Sequence, residues 1–141
     1  MAYKFPSEEW TSAYRDAVNA SEGYRKHGKP WTFGAVAFVV KPDPALGLET
    51  EITMLLDVHE GVCRNTVYGK GLDSVKDAPF VIVADYAKWK DCLQGKIDPI
   101  KGMMEGKLKL VKGHLPTMLK FVESSRALVS AAQTVPTDFA L

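Results

Sequence analysis

Residues 89–121 read WKDCLQGKIDPIKGMMEGKLKLVKGHLPTMLKF, and the order of local signals along this stretch decides the fold. An apolar helical spacing through Tyr86, Trp89 and Leu93 ends at Gly95, a C′ position where left-handed backbone is usual. Asp98 and Pro99 form the N-cap and N1 pair of a second helix, which carries the Met103-Met104 pair. Residues 107–110 alternate lysine and leucine, the pattern of a strand with one wet and one dry face. After Gly113 a long helix is predicted from Pro116 onward. Its apolar residues fall on two stripes: Leu115, Met118, Leu119 and Val122, then Phe121, Leu128 and Ala132. A helix apolar over so wide an arc must touch two things at once. No catalytic group stands out.

Upstream, Ser7 is a plausible N-cap, with Glu8 and Glu9 at the positive end of the helix dipole. Trp10, Ala13, Tyr14, Ala17 and Val18 form one apolar stripe, so a single helix is predicted to run out between Tyr24 and Gly28. Residues 31–40 are almost continuously apolar, which predicts a strand covered on both faces. Ile52, Met54, Leu56 and Val58 alternate with Thr53, Leu55 and Asp57, a second strand with one inner face. His59-Glu60-Gly61 makes a turn, and residues 62–68 continue as a third strand. Residues 79–84 form a short buried strand, and Asp85 caps the helix that carries Trp89. The tail from Pro136 is expected to be loose.

At 141 residues the chain is most economically a single domain, 1–141. Its hydrophobic fraction of 46% and charged fraction of 25% are ordinary for a soluble globular protein. A net charge of +1 supplies no field that would draw nucleic acid. Cys63 and Cys92 make no disulfide framework, and no apolar run reaches membrane-spanning length or resembles a signal core. A cytoplasmic setting is therefore expected.

Most candidate chemistry yields to a simpler reading. Residues 102–107, GMMEGK, are one residue short of a phosphate loop, and Leu108 stands where its Ser or Thr would be. His27, His59 and His114 have no Cys or carboxylate at ligand spacing, so neither a metal nor a cofactor is expected. Cys63 and Cys92 read as small core hydrophobes rather than nucleophiles. Lys101, Lys107, Lys109, Lys112 and Lys120 form the solvated face of a strand, or a surface for transient contact with anionic headgroups. Met103, Met104, Met54 and Met118 suit either a core or a pocket that adapts to chains of differing shape.

The ordered set of Trp89, Gly95-Lys96-Ile97-Asp98-Pro99, Met103-Met104, residues 106–110, Gly113 and residues 118–121 resembles the sterol-carrier-protein-2 family of small lipid-binding domains. His114 stands where that family usually has Asp or Asn. The resemblance implies an α/β fold of the α+β type. In it, a single mostly antiparallel five-stranded sheet is covered on one face by helices, with an apolar tunnel between them. It implies binding and transfer of fatty acids, fatty acyl esters or sterol-like ligands without covalent chemistry. The lining expected is Phe38, Met54, Leu56, Met103, Met104, Leu110, Met118, Leu119 and Val122. It does not decide between monomer and dimer. Phe139-Ala140-Leu141 lacks the peroxisomal address of eukaryotic members, in keeping with a cytoplasmic setting. Two other readings stand beside this one: a dimerisation or substrate-delivery module for a separate enzyme, and a small hydrolase built on His114, Cys92 or Asp85.

Overall fold

In the computed structural model, which describes residues 2–140, a two-residue strand, β1 (Tyr3–Lys4), leads into helix α1 (Glu8–Ala20). Ser7 caps α1, its hydroxyl accepting from the Trp10 amide at 3.1 Å. The single helix expected up to Gly28 breaks at Ser21, which leaves helical geometry and caps α2 (Glu22–His27) through its own hydroxyl. A serine that offers the backbone a competing partner locates the break.

Five strands form the main sheet in the order β4-β3-β2-β5-β6. They are β2 (Val36–Val40), β3 (Ile52–His59), β4 (Val62–Lys70), β5 (Phe80–Ala84) and β6 (Lys109–Lys112). Only β2 and β5 run parallel; the other three pairings are antiparallel. The predicted strand over 31–40 shrinks to its second half because Gly34 has φ +102° and turns the chain out of the sheet. There the Trp31 indole N–H donates to the Gly34 carbonyl at 2.9 Å. The strand expected at 107–110 begins two residues late. The amides of Lys107 and Leu108 both donate to Gly102 O, closing the end of the preceding helix instead of pairing with β5.

Helices α3 (Tyr86–Leu93), α4 (Pro99–Met104), α5 (Leu115–Lys120) and α6 (Val122–Gln133) join α1 and α2 over one face of the sheet. Asp85 and Asp98 cap α3 and α4 as their sequences signal. The last helix is two helices, parted at Phe121. The Phe121 ring stands edge-on to Trp31 and Phe33, with centroids 5.0 and 5.7 Å away, which holds it in a non-helical conformation.

Alternation sorts the strands. Val36, Phe38 and Val40, with Ile52, Met54, Leu56 and Val58, and Phe80, Ile82 and Ala84, face the helices. Ala37, Val39 and Val81 face the other way, where the connection from β4 to β5 lays Val75 and Ala78 over them. The doubly covered strand expected from the apolar run is therefore β2. The tail from Pro136 is tied down rather than loose. Strand β7 (Thr137–Asp138) pairs in parallel with β1, Thr137 Oγ1 accepts from the Trp10 indole, and Phe139 O accepts from the Tyr86 hydroxyl. Leu141 lies outside the described residues.

Asn19, near the end of α1, clamps the bulged edge strand β4. Its amide donates to Cys63 O at 2.9 Å and its carbonyl accepts from Cys63 N at 2.8 Å. Asn19→Ala leaves that backbone pair without partners, and a loss of about 1–3 kcal/mol in unfolding free energy by urea titration is expected.

Candidate functional site

Between the helix-facing side of the sheet and the helices lies a narrow apolar cavity, with about 60 Å³ of room for the centre of a water-sized sphere. The sheet supplies Phe38, Met54 and Ile82 as its floor. Trp10 and Tyr14 of α1 and Trp89 and Cys92 of α3 form its sides, and Met103, Met118 and Leu128 close the rest. These residues reach it for local reasons. Trp89 is one turn into a helix capped by Asp85, and its indole N–H donates to Val39 O at 2.8 Å, tying α3 to the central strand. Tyr14 projects from the apolar stripe of α1, and its hydroxyl donates to Leu128 O at 2.9 Å, tying α1 to α6.

Of the residues expected from the sequence, Phe38, Met54, Met103 and Met118 meet at this cavity. Leu56 is fully buried in the core on the same face of the sheet, outside the lining. Leu110 and Val122 are half-buried against the core, also outside the lining. Met104 and Leu119, 66% and 37% exposed, are on the surface instead of at a tunnel wall. Each directly follows the methionine that lines the cavity, and consecutive helical residues point about 100° apart, so one of each pair is turned outward. The stripe of Met118, Leu119 and Val122 also depended on one continuous helix, which the break at Phe121 removes. Sequence reasoning passed over Ser124 and Ser125, which line the cavity from α6, because polar residues in a broad apolar pattern carry no pocket signal.

Among the described residues no charged side chain lines the cavity. Burial pushes the Cys92 thiol up to about 12, with Asp98 adding to the effect. Burial likewise pushes Cys63 up to about 11, against a lowering hydrogen bond to the Asn65 carbonyl. Tyr14 and Tyr24 are also raised, chiefly by burial. The interior is therefore neutral at physiological pH. His114 and Asp85 are exposed, the first with Nδ1 3.0 Å from Thr117 Oγ1, the second accepting from the Lys88 amide. They do not converge with Cys92 on the cavity. Among the described residues no group of three or more His, Cys, Asp or Glu is placed to hold a metal ion.

The profile of the SCP-2 sterol transfer family matches residues 16–124. The chain belongs to that family. A crystal structure of sterol carrier protein 2 is 35% identical, with a TM-score of 0.85 over 92% of this chain and 97% of its own. The solution structure of a conserved hypothetical protein of Thermus thermophilus, described as possibly a sterol carrier protein, is 34% identical. It also has a TM-score of 0.85, over 94% of this chain and 90% of its own. Sterol carrier protein 2 of Yarrowia lipolytica, in its apo form, shares the fold at 20% identity and a TM-score of 0.55, over 88% of this chain and 89% of its own. No functionally curated protein matches the chain significantly. Among the described residues of this SCP-2 family member, no helix is long and apolar enough to cross a membrane.

The raised thiols have a pH signature. Above about pH 9, where free thiols ionise, the unfolded chain loses protons that the folded chain keeps on Cys63 and Cys92 up to about 11 and 12. Unfolding then releases protons, so stability falls as pH rises from 9 towards 12. Denaturant midpoints over that range should drop, and 5,5′-dithiobis(2-nitrobenzoate) at pH 8 should titrate both thiols quickly only after unfolding.

Proposed function

We propose that this SCP-2 family member binds the apolar chain of a fatty acid, fatty acyl ester or sterol-like lipid in the cavity and carries it without covalent chemistry. The observation that carries the reading is the apolar lining by Phe38, Met54, Met103 and Met118 between sheet and helices. The family membership, and the name sterol carrier protein 2 of the relative at 35% identity, support it.

Desolvation provides the affinity. Each methylene buried contributes about 0.8 kcal/mol, so a sixteen-carbon chain yields on the order of 12 kcal/mol before the costs of association. Micromolar binding needs no catalytic residue, and an apolar wall discriminates weakly between chains that differ by one methylene. The cavity is slender, so a ligand enters by widening it. Methionines at 54, 103 and 118 can change rotamer at low cost, and α5 is a short wall to move. It has six residues, no side-chain cap at His114 and a break at Phe121. The exposed lysines 101, 107, 109 and 120 suit brief contact with anionic headgroups during transfer. We place this activity in the cytoplasm, where buried free thiols such as Cys63 and Cys92 remain reduced.

Palmitate should displace a fluorescent fatty-acid probe at micromolar concentration. Met118→Trp should fill the cavity and weaken that binding about tenfold or more, while the urea midpoint changes little. The reverse pattern, intact affinity with the roughly 1–3 kcal/mol loss of an overpacked core, would move the ligand elsewhere.

A further inference from the structure

The cavity lining includes two serines that an all-apolar ligand would leave unused. Ser124 and Ser125, adjacent in the first turn of α6, are only 5% and 8% exposed and both line the cavity. Neither hydroxyl has a hydrogen-bond partner among the described residues. Nor is either sealed off as Thr53 Oγ1 is, the one fully enclosed side-chain polar atom left unpaired among them. Both residues line the cavity, and Ser124 is the more deeply buried of the two. α6 has twelve residues, and its N-cap, Phe121, brings no capping side chain; the Ser125 amide donates to Phe121 O at 2.9 Å, and no side chain accepts from the amides of residues 122–124. Tyr24, a buried residue on the helix packed against α6, also lines the cavity, and its hydroxyl is likewise without a partner among the described residues.

Buried donors of this kind are costly unless an acceptor reaches them. A helix N-terminus sets the sign of that acceptor, because its amides donate and its dipole favours negative charge. Asp98 and Glu123 both accept from Arg126, at 2.8 and 3.1 Å, and neither lines the cavity. We propose that Ser124, Ser125 and the N-terminus of α6 form a head-group site that takes the carboxylate of a long-chain fatty acid, with its alkyl chain lying against Met54, Met103 and Met118. The ligand is thereby oriented, and anionic single-chain lipids are preferred over cationic ones of equal length. This rests on the cavity being the ligand site.

The test compares palmitate with hexadecylamine, matched in chain length and opposite in head charge, by displacement of a fluorescent probe from wild type and from S124A/S125A. Alanine is the best helix former, so α6 should persist. Wild type should favour palmitate, and the double substitution should cut the palmitate-to-amine affinity ratio by about tenfold or more. In wild-type protein, ¹⁵N amide resonances of residues 122–125 should shift with palmitate more than with hexadecylamine, a reading that does not depend on the variant folding. An affinity ratio unchanged within about twofold, with those amides equally indifferent to the head, overturns the head-group site. Palmitate would still bind in that case, and the carrier reading would stand. Failure of wild type to bind either amphiphile overturns both.

Discussion

The helix-facing side of the sheet is the constraint from which the rest of the structure follows. Three neighbouring strands present Val36, Phe38 and Val40, Ile52 to Val58, and Phe80 to Ala84 as one apolar surface. Five strands at about 4.8 Å spacing make a surface roughly 20 Å wide, whereas a helix with its side chains covers about 10–12 Å. No single helix can cover it. Six short helices share the task, and their junctions have to be tied to the sheet and to one another by specific hydrogen bonds.

Two of those ties explain why a gap persists where a solid core would be expected. Trp89 donates to Val39 O and holds α3 at the height of an indole above the central strand. Tyr14 donates to Leu128 O and spaces α1 from α6. Large rings used as spacers keep the helix layer off the sheet between them, and Phe38 meets Trp89 edge-on there, with centroids 5.4 Å apart. Tertiary ties at the periphery stabilise the arrangement: Asn19 on the backbone of Cys63, Thr137 on Trp10, and Tyr86 on Phe139 O. A neutral interior follows, because thiols and phenols held there retain their protons. The side chains that line the cavity are apolar or neutral.

Where local signals are self-contained, the reading of the residues matched the structure. Ser7, Asp85 and Asp98 cap the helices they announce, Gly95 adopts φ +80°, and the alternation of Ile52 to Val58 places each on one face. Each of those outcomes depends on atoms within a few residues of one another. The continuous apolar run ending at Val40 likewise carried its double burial in its composition, because a strand with polar residues on neither face has to be covered on both.

What only the tertiary structure decided lies where a distant partner outweighs the local preference. The break at Phe121 comes from Trp31 and Phe33, some ninety residues away in the chain, and it redirects every stripe drawn along the final helix. The late start of β6 depends on Gly102 capturing two amides, and the docked tail on Trp10 and Tyr86. For the cavity, the residues alone left Met54, Met103, Met104 and Met118 open between core and pocket, and it was the family resemblance that implied a lining. The tertiary structure decided which of each adjacent pair turned inward, Met103 over Met104 and Met118 over Leu119, and that two serines would join them. The physical reason is that helical phase, unlike a cap or a turn, is set by whatever the helix packs against.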